Sequence, residues 1–69
     1  MEEKTYHLVR ETEGLTTKSS VPVCYREALE RLDRISFRSR ERGEKPMRYA
    51  DAIYILSAGG FVSVSIKEV

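Results

Sequence analysis

From Tyr25 to about Arg42 the apolar positions return every three or four residues. Tyr25, Ala28, Leu29, Leu32, Ile35 and the small Ser36 fall on one face at helical spacing. Cys24 stands at the N-cap position with Glu27 three residues on, the spacing of a capping box, although a thiol accepts hydrogen bonds weakly. Glu27 and Arg31, and Glu30 and Arg34, are spaced four apart in the favourable order. Gly43 suits a left-handed stop, and Pro46 forbids the helix from running far past it.

Downstream the period drops to two. Ala52 to Leu56 and Phe61 to Ile66 flank Ser57-Ala58-Gly59-Gly60 and predict a β-hairpin. A two-residue loop at Ala58-Gly59 or at Gly59-Gly60 gives the same side-chain parity. Ile53, Ile55, Val62, Val64 and Ile66 share one face; Tyr54, Leu56, Phe61, Ser63 and Ser65 share the other. The aliphatic face is the one a helix would cover, and Leu29, Leu32, Ile55 and Val64 are expected to be fully buried. Upstream, Thr5 to Thr12 alternates as a strand, and Glu13-Gly14 is a turn signal. Leu15 to Val23 is Thr- and Val-rich but polar and holds Pro22, which fits an edge strand or a loop. Gly43 to Asp51 reads as a connection. The expectation is an α+β fold of one domain over residues 1–69. It is a two-layer sandwich of one amphipathic helix on a small, mainly antiparallel sheet, in the order β-(β)-α-β-β.

With 69 residues the chain has room for one core, and 41% hydrophobic content is enough to build it. No apolar run reaches membrane-spanning length, so no membrane partner is expected. The start, Met1-Glu2-Glu3-Lys4, is unlike a secretory leader, and a cytoplasmic location is expected. Cys24, a single cysteine, has no internal disulfide partner. Net charge is only +1, but its distribution is uneven. From Arg34 to Arg48 five arginines and one lysine oppose Glu41 and Glu44, a net of +4, so the remainder carries −3.

Catalytic constellations are weak. Cys24 at a helix start with His7 as base is a conceivable nucleophile, but no acyl-transfer signature surrounds either residue. One histidine and one cysteine do not make a metal site of ordinary ligand number, and no cofactor is implied. Gly59-Gly60 is too short for a phosphate loop. Glu27, Glu30, Asp33, Glu41 and Glu44 lie among arginines, where ion pairing accounts for them. The expectation is a non-enzyme.

Two surfaces are candidates for binding. Arg34, Arg38, Arg40, Arg42, Lys45 and Arg48 form a basic region suited to phosphates or to an acidic protein surface. The competing reading is a solvated helix face whose cations sit well at the C-terminal end of the dipole. Arg34 and Arg38 are expected on the side away from the apolar stripe. Tyr54, Leu56 and Phe61 stand on the sheet face that one helix cannot cover, with either Tyr6 and Leu8 or His7 and Val9. A homodimer, a partner protein or stacked bases would each cover such a face, as would the N-terminal segment folded over it.

In size and strand–helix–hairpin layout the chain resembles small phage-encoded inhibitor proteins, certain anti-CRISPR proteins among them. The resemblance covers size and element order and carries no motif, so no residue role follows from it. It implies a stoichiometric inhibitor that occupies the surface of a larger protein or nucleoprotein complex. The second expectation is a nucleic-acid-binding module that uses the arginines together with Tyr54 and Phe61.

Overall fold

A computed structural model describes residues 4–19, 21–57 and 59–69. The elements run β1 (Tyr6–Thr12), β2 (Leu15–Lys18), α1 (Tyr25–Glu41), β3 (Lys45–Arg48), β4 (Ala52–Ser57) and β5 (Gly60–Glu68). The strands form one antiparallel sheet in the order β2-β1-β5-β4-β3, with α1 packed on one side: the α+β sandwich expected.

β5 is the longest strand and the centre of the sheet. It pairs with β1 from Tyr6↔Glu68 to Thr12↔Val62, and with β4 from Ala52↔Ser65 to Ser57↔Gly60. The last pair of this hairpin is Ser57↔Gly60; Ala58, part of one expected loop, lies outside the described residues. The β1–β2 hairpin turns at Glu13 and Gly14, with φ of 41° and 84°. Two positive φ values are what the tightest hairpin turn requires, and glycine takes one of them without strain.

Two segments are settled by pairing. Leu15–Lys18 is an edge strand paired back on β1, and Pro22 falls beyond its end. Val23 then returns to β1, exchanging backbone hydrogen bonds with Tyr6 at 2.8 and 2.9 Å, and this bridge sets the start of α1. Lys45–Arg48, expected as connection, is instead the opposite edge strand. Four residues with a proline among them give no alternation to read. An edge strand tolerates Pro46 because the missing N–H can face outward.

The core lies between α1 and the face made by Leu8, Ile53, Ile55, Val64 and Ile66, with Val23, Ala28 and Leu32 from above. Leu32 and Ile53 have no exposed surface. Leu29 is a correction: expected to be fully buried, it is only half-buried, because it stands on the flank of the stripe rather than its centre. Ser39 is fully buried in its place, one turn past Ile35. Tyr25 is largely exposed and packs edge-on against Tyr6, 5.2 Å between ring centroids. β2 makes no contact with α1, and all four of its residues are exposed.

Leu32→Ala leaves a void at the most enclosed point of this core and should cost about 2–5 kcal/mol. A domain this small has little to spare. Urea unfolding of parent and variant checks it, and equal midpoints would refute the packing described.

Candidate functional site

The helix ends in a tight polar knot. Gly43 adopts φ 79° and its N–H donates to the Arg40 carbonyl at 3.0 Å. The Glu44 N–H donates to the Ser39 carbonyl at 3.0 Å, and the buried Ser39 hydroxyl donates to Glu44 Oε1 at 2.9 Å. Arg42 donates to the same oxygen through Nη2 at 2.9 Å and Nε at 3.2 Å. The Ser39 hydroxyl, then the Arg42 guanidinium, hold the Glu44 carboxyl below its ordinary pKa. Arg10, across the sheet face, adds to this electrostatically. Ser39 is invisible to a hydrophobic pattern, because its contribution is one hydroxyl placed by the turn that follows it.

This knot divides the arginine cluster. Arg42 is committed to Glu44, and Arg48, on the helix side of β3, pairs with Asp33 at 3.3 Å. Lys45 pairs in register with Leu56, which puts it on the opposite face of the sheet. Arg40 is exposed on the last turn. Arg34 and Arg38 are exposed and lie off the buried stripe of α1, as expected. With Arg31, Ile35, Leu8 and Ser19 they line a depression beside the helix. Of the two helical pairs expected, Glu27–Arg31 forms at 3.6 Å, and no Glu30–Arg34 ion pair occurs among the described residues.

The face of the sheet away from α1 carries the aromatics. Register puts His7 and Val9, not Tyr6 and Leu8, on this side. In the row Val9, Ser65 and Ala52, Val9 and Ala52 are buried and Ser65 is half-buried. Beyond it Tyr54 stacks on Phe61, centroids 5.8 Å apart, and meets Tyr49 edge-on at 5.4 Å. Leu56 and Phe61 are 61% and 52% exposed, and Met47 and Tyr49 extend the patch at 59% and 51%. Such a row of large exposed side chains on one face is unusual for a chain with nothing against it. Met47 and Tyr49 were not legible as members, because β3, which holds Met47 and leads into Tyr49, was not. β1 lies within the sheet, so no described part of the N-terminal segment covers the patch.

Comparison with protein families, characterised proteins and solved structures finds no match to this chain. The surfaces are therefore read from their own chemistry. Cys24 caps the helix backbone without a side-chain bond and is exposed. His7 lies on the open face of β1 with Nδ1 lacking a hydrogen-bond partner among the described residues. No hydrogen bond joins His7 to Cys24 among those residues. The described residues hold no cluster of His, Cys, Asp and Glu suited to a metal, and no helix among them is long and apolar enough to cross a membrane.

Folding lowers the Glu44 pKa, so the knot contributes fully above the ordinary carboxylate range and is lost as pH falls through the lowered value. Glu44→Gln should therefore reduce the urea midpoint at neutral pH, with the gap to the parent narrowing on acidification through that range. A gap that does not depend on pH would assign the loss to packing rather than to charge.

Proposed function

We propose that this chain is a non-enzymatic binding module that docks a larger protein through the aromatic face of its sheet. The observation that carries this reading is the exposed row Tyr49, Tyr54 and Phe61 with Met47 and Leu56. Each aromatic offers roughly 150–250 Å² of burial, and hydroxyl-tipped rings ringed by apolar side chains are the composition of interface cores. Occupying a partner's surface in this way is how a stoichiometric inhibitor acts. The phage- or mobile-element inhibitor of a protein or nucleoprotein complex is the biological form of this proposal that we favour.

A nucleic-acid-binding role fits the geometry less well. Bases stacked on Tyr54 and Phe61 would need cations for their phosphates on the same face. Arg34, Arg38, Arg40 and Arg42 project from α1 on the other side of the sheet, and Arg48 is held by Asp33. Of the basic cluster, Lys45 alone shares the aromatic face; the other cations there, Lys18 and Lys67, stand beside Val9 and His7 rather than beside Tyr54 and Phe61. Self-association through the patch is the third arrangement, since a patch that meets its own copy makes a symmetric dimer.

Tyr54→Ser/Phe61→Ser removes the centre of the patch and leaves the core untouched. Affinity capture from the native host, parent against variant, should recover a protein with the parent that the variant loses. Mobility shifts with single-stranded, duplex and structured RNA should show weak binding by both. Loss of nothing in the variant, or salt-steep RNA binding that the variant abolishes, would overturn the reading. Light scattering on both proteins distinguishes the dimer, which would appear as a parent heavier than the variant.

A further inference from the structure

The tight turn between β3 and β4 sets an acid against the aromatic face. The Tyr49 N–H donates to the Ala52 carbonyl at 2.8 Å, which leaves Ala50 and Asp51 at the tip. The Ile66 N–H donates to the Asp51 carbonyl at 3.0 Å, so the turn is pinned to β5 as well as closed on itself. Ala52 is small and buried where Tyr49 and Tyr54 are large and exposed, and the surface dips between them. A depression of about 540 Å³ lies there, lined by Met47, Tyr49, Asp51, Ala52, Tyr54 and Phe61. The Tyr49 and Tyr54 rings stand 83° apart and make a corner, and Phe61, tilted 27° from Tyr54, extends one wall.

Asp51 is exposed, and its carboxylate has no hydrogen bond or ion pair among the described residues. Glu11 is a second acid of this face. It pairs in register with Ser63, Ser63 with Tyr54 and Tyr54 with Met47, so the four stand in one row across the sheet. Glu11 is exposed and also has no ion pair among the described residues. Lys45 sits beside Leu56, at the other end of β4 from Asp51, and Lys18 and Lys67 stand beside Val9 and His7. The rings thus have two free carboxylates near them, and the faces of their π-systems are negative as well.

Taking the aromatic face as the docking surface, we propose that its depression receives an arginine side chain of the partner protein. The guanidinium lies on a tyrosine ring and donates to the Asp51 carboxylate. A guanidinium is planar and weakly hydrated, so it stacks on an aromatic face while its N–H fork stays free for an acid at the ring's edge. A corner of two rings with a carboxylate beside it offers both contacts at once. A trimethylated ammonium has no N–H for Asp51, and it is best held by rings on more sides than this open corner supplies. A phosphate backbone would meet Asp51 and Glu11 as like charges.

The test uses the full chain and three short capped peptides that carry arginine, citrulline or trimethyl-lysine between leucines. Titrations followed by NMR should show the arginine peptide binding about fivefold or more tighter than the citrulline peptide, which keeps the shape and loses the charge. The ring signals of Tyr49 and Tyr54 should move most. Asp51→Asn should remove most of this preference with an unchanged unfolding midpoint, and Arg34→Glu/Arg38→Glu should leave it intact. Equal binding of the arginine and citrulline peptides, no saturable binding, tightest binding of trimethyl-lysine, or a preference that survives Asp51→Asn would overturn the proposal. So would poly-uridine that moves the same ring signals further than the arginine peptide does. A captured partner that Tyr54→Ser/Phe61→Ser loses and Asp51→Asn keeps would leave the docking role standing and sink the arginine contact. An arginine preference in the peptides, with no partner lost by the double variant, would fault the docking role instead.

Discussion

The pairing of β1 with β5 is the constraint on which the rest of the structure depends. It joins the two ends of the chain in one ladder of seven residue pairs, from Tyr6↔Glu68 to Thr12↔Val62. Side chains alternate with period two, so this register decides at once which half of β1 faces the helix. Leu8 joins Ile66 and Val64 beneath α1, while Val9 and His7 go to the other face. A slip of one residue would send Leu8 into the open face and put His7 under the helix. The contacts concerned span nearly the whole chain, so their loop-closure cost is met before any local gain is made.

The register also fixes how the two sides of the sheet differ. On one side α1 covers the aliphatic residues and presents an exposed cationic flank. On the other, stacked aromatics stand with no layer above them. These are chemically unlike surfaces, one suited to charge-matched contact and the other to burial of large rings. They are separated by the sheet itself, so a single small ligand cannot span both. The two edges are unattractive to further strands for different reasons: β3 carries Pro46, and β2 is four residues long and ends on Lys18.

The knot of Ser39, Arg42 and Glu44 connects these features. It ends α1, turns the chain into β3 and so brings Met47 and Tyr49 alongside Tyr54. It also withdraws Arg42 from the basic cluster, leaving Arg34 and Arg38 exposed beside the depression on the helix flank. A buried hydroxyl and a charge pair thus decide which residues each surface can offer.

Helical and two-residue periods in the sequence determined α1 to within a residue, the closing hairpin, and the division of Ile53, Ile55, Val62 and Val64 from Tyr54, Leu56 and Phe61. These are local properties: each rests on side chains a few positions apart along one element, where the backbone geometry is fixed in advance. Tertiary structure alone decided that Leu15–Lys18 and Lys45–Arg48 become the two edge strands, since neither carries enough alternation to pair without a neighbour. It also decided the half-exposure of Leu29 and the burial of Ser39, because a stripe's flanks are covered or not according to where the helix sits on the sheet. The fate of the arginines was illegible for the same reason. Sequence shows six cations in fifteen residues, but whether each meets Glu44, Asp33 or solvent depends on distances between elements, and no spacing along the chain encodes those.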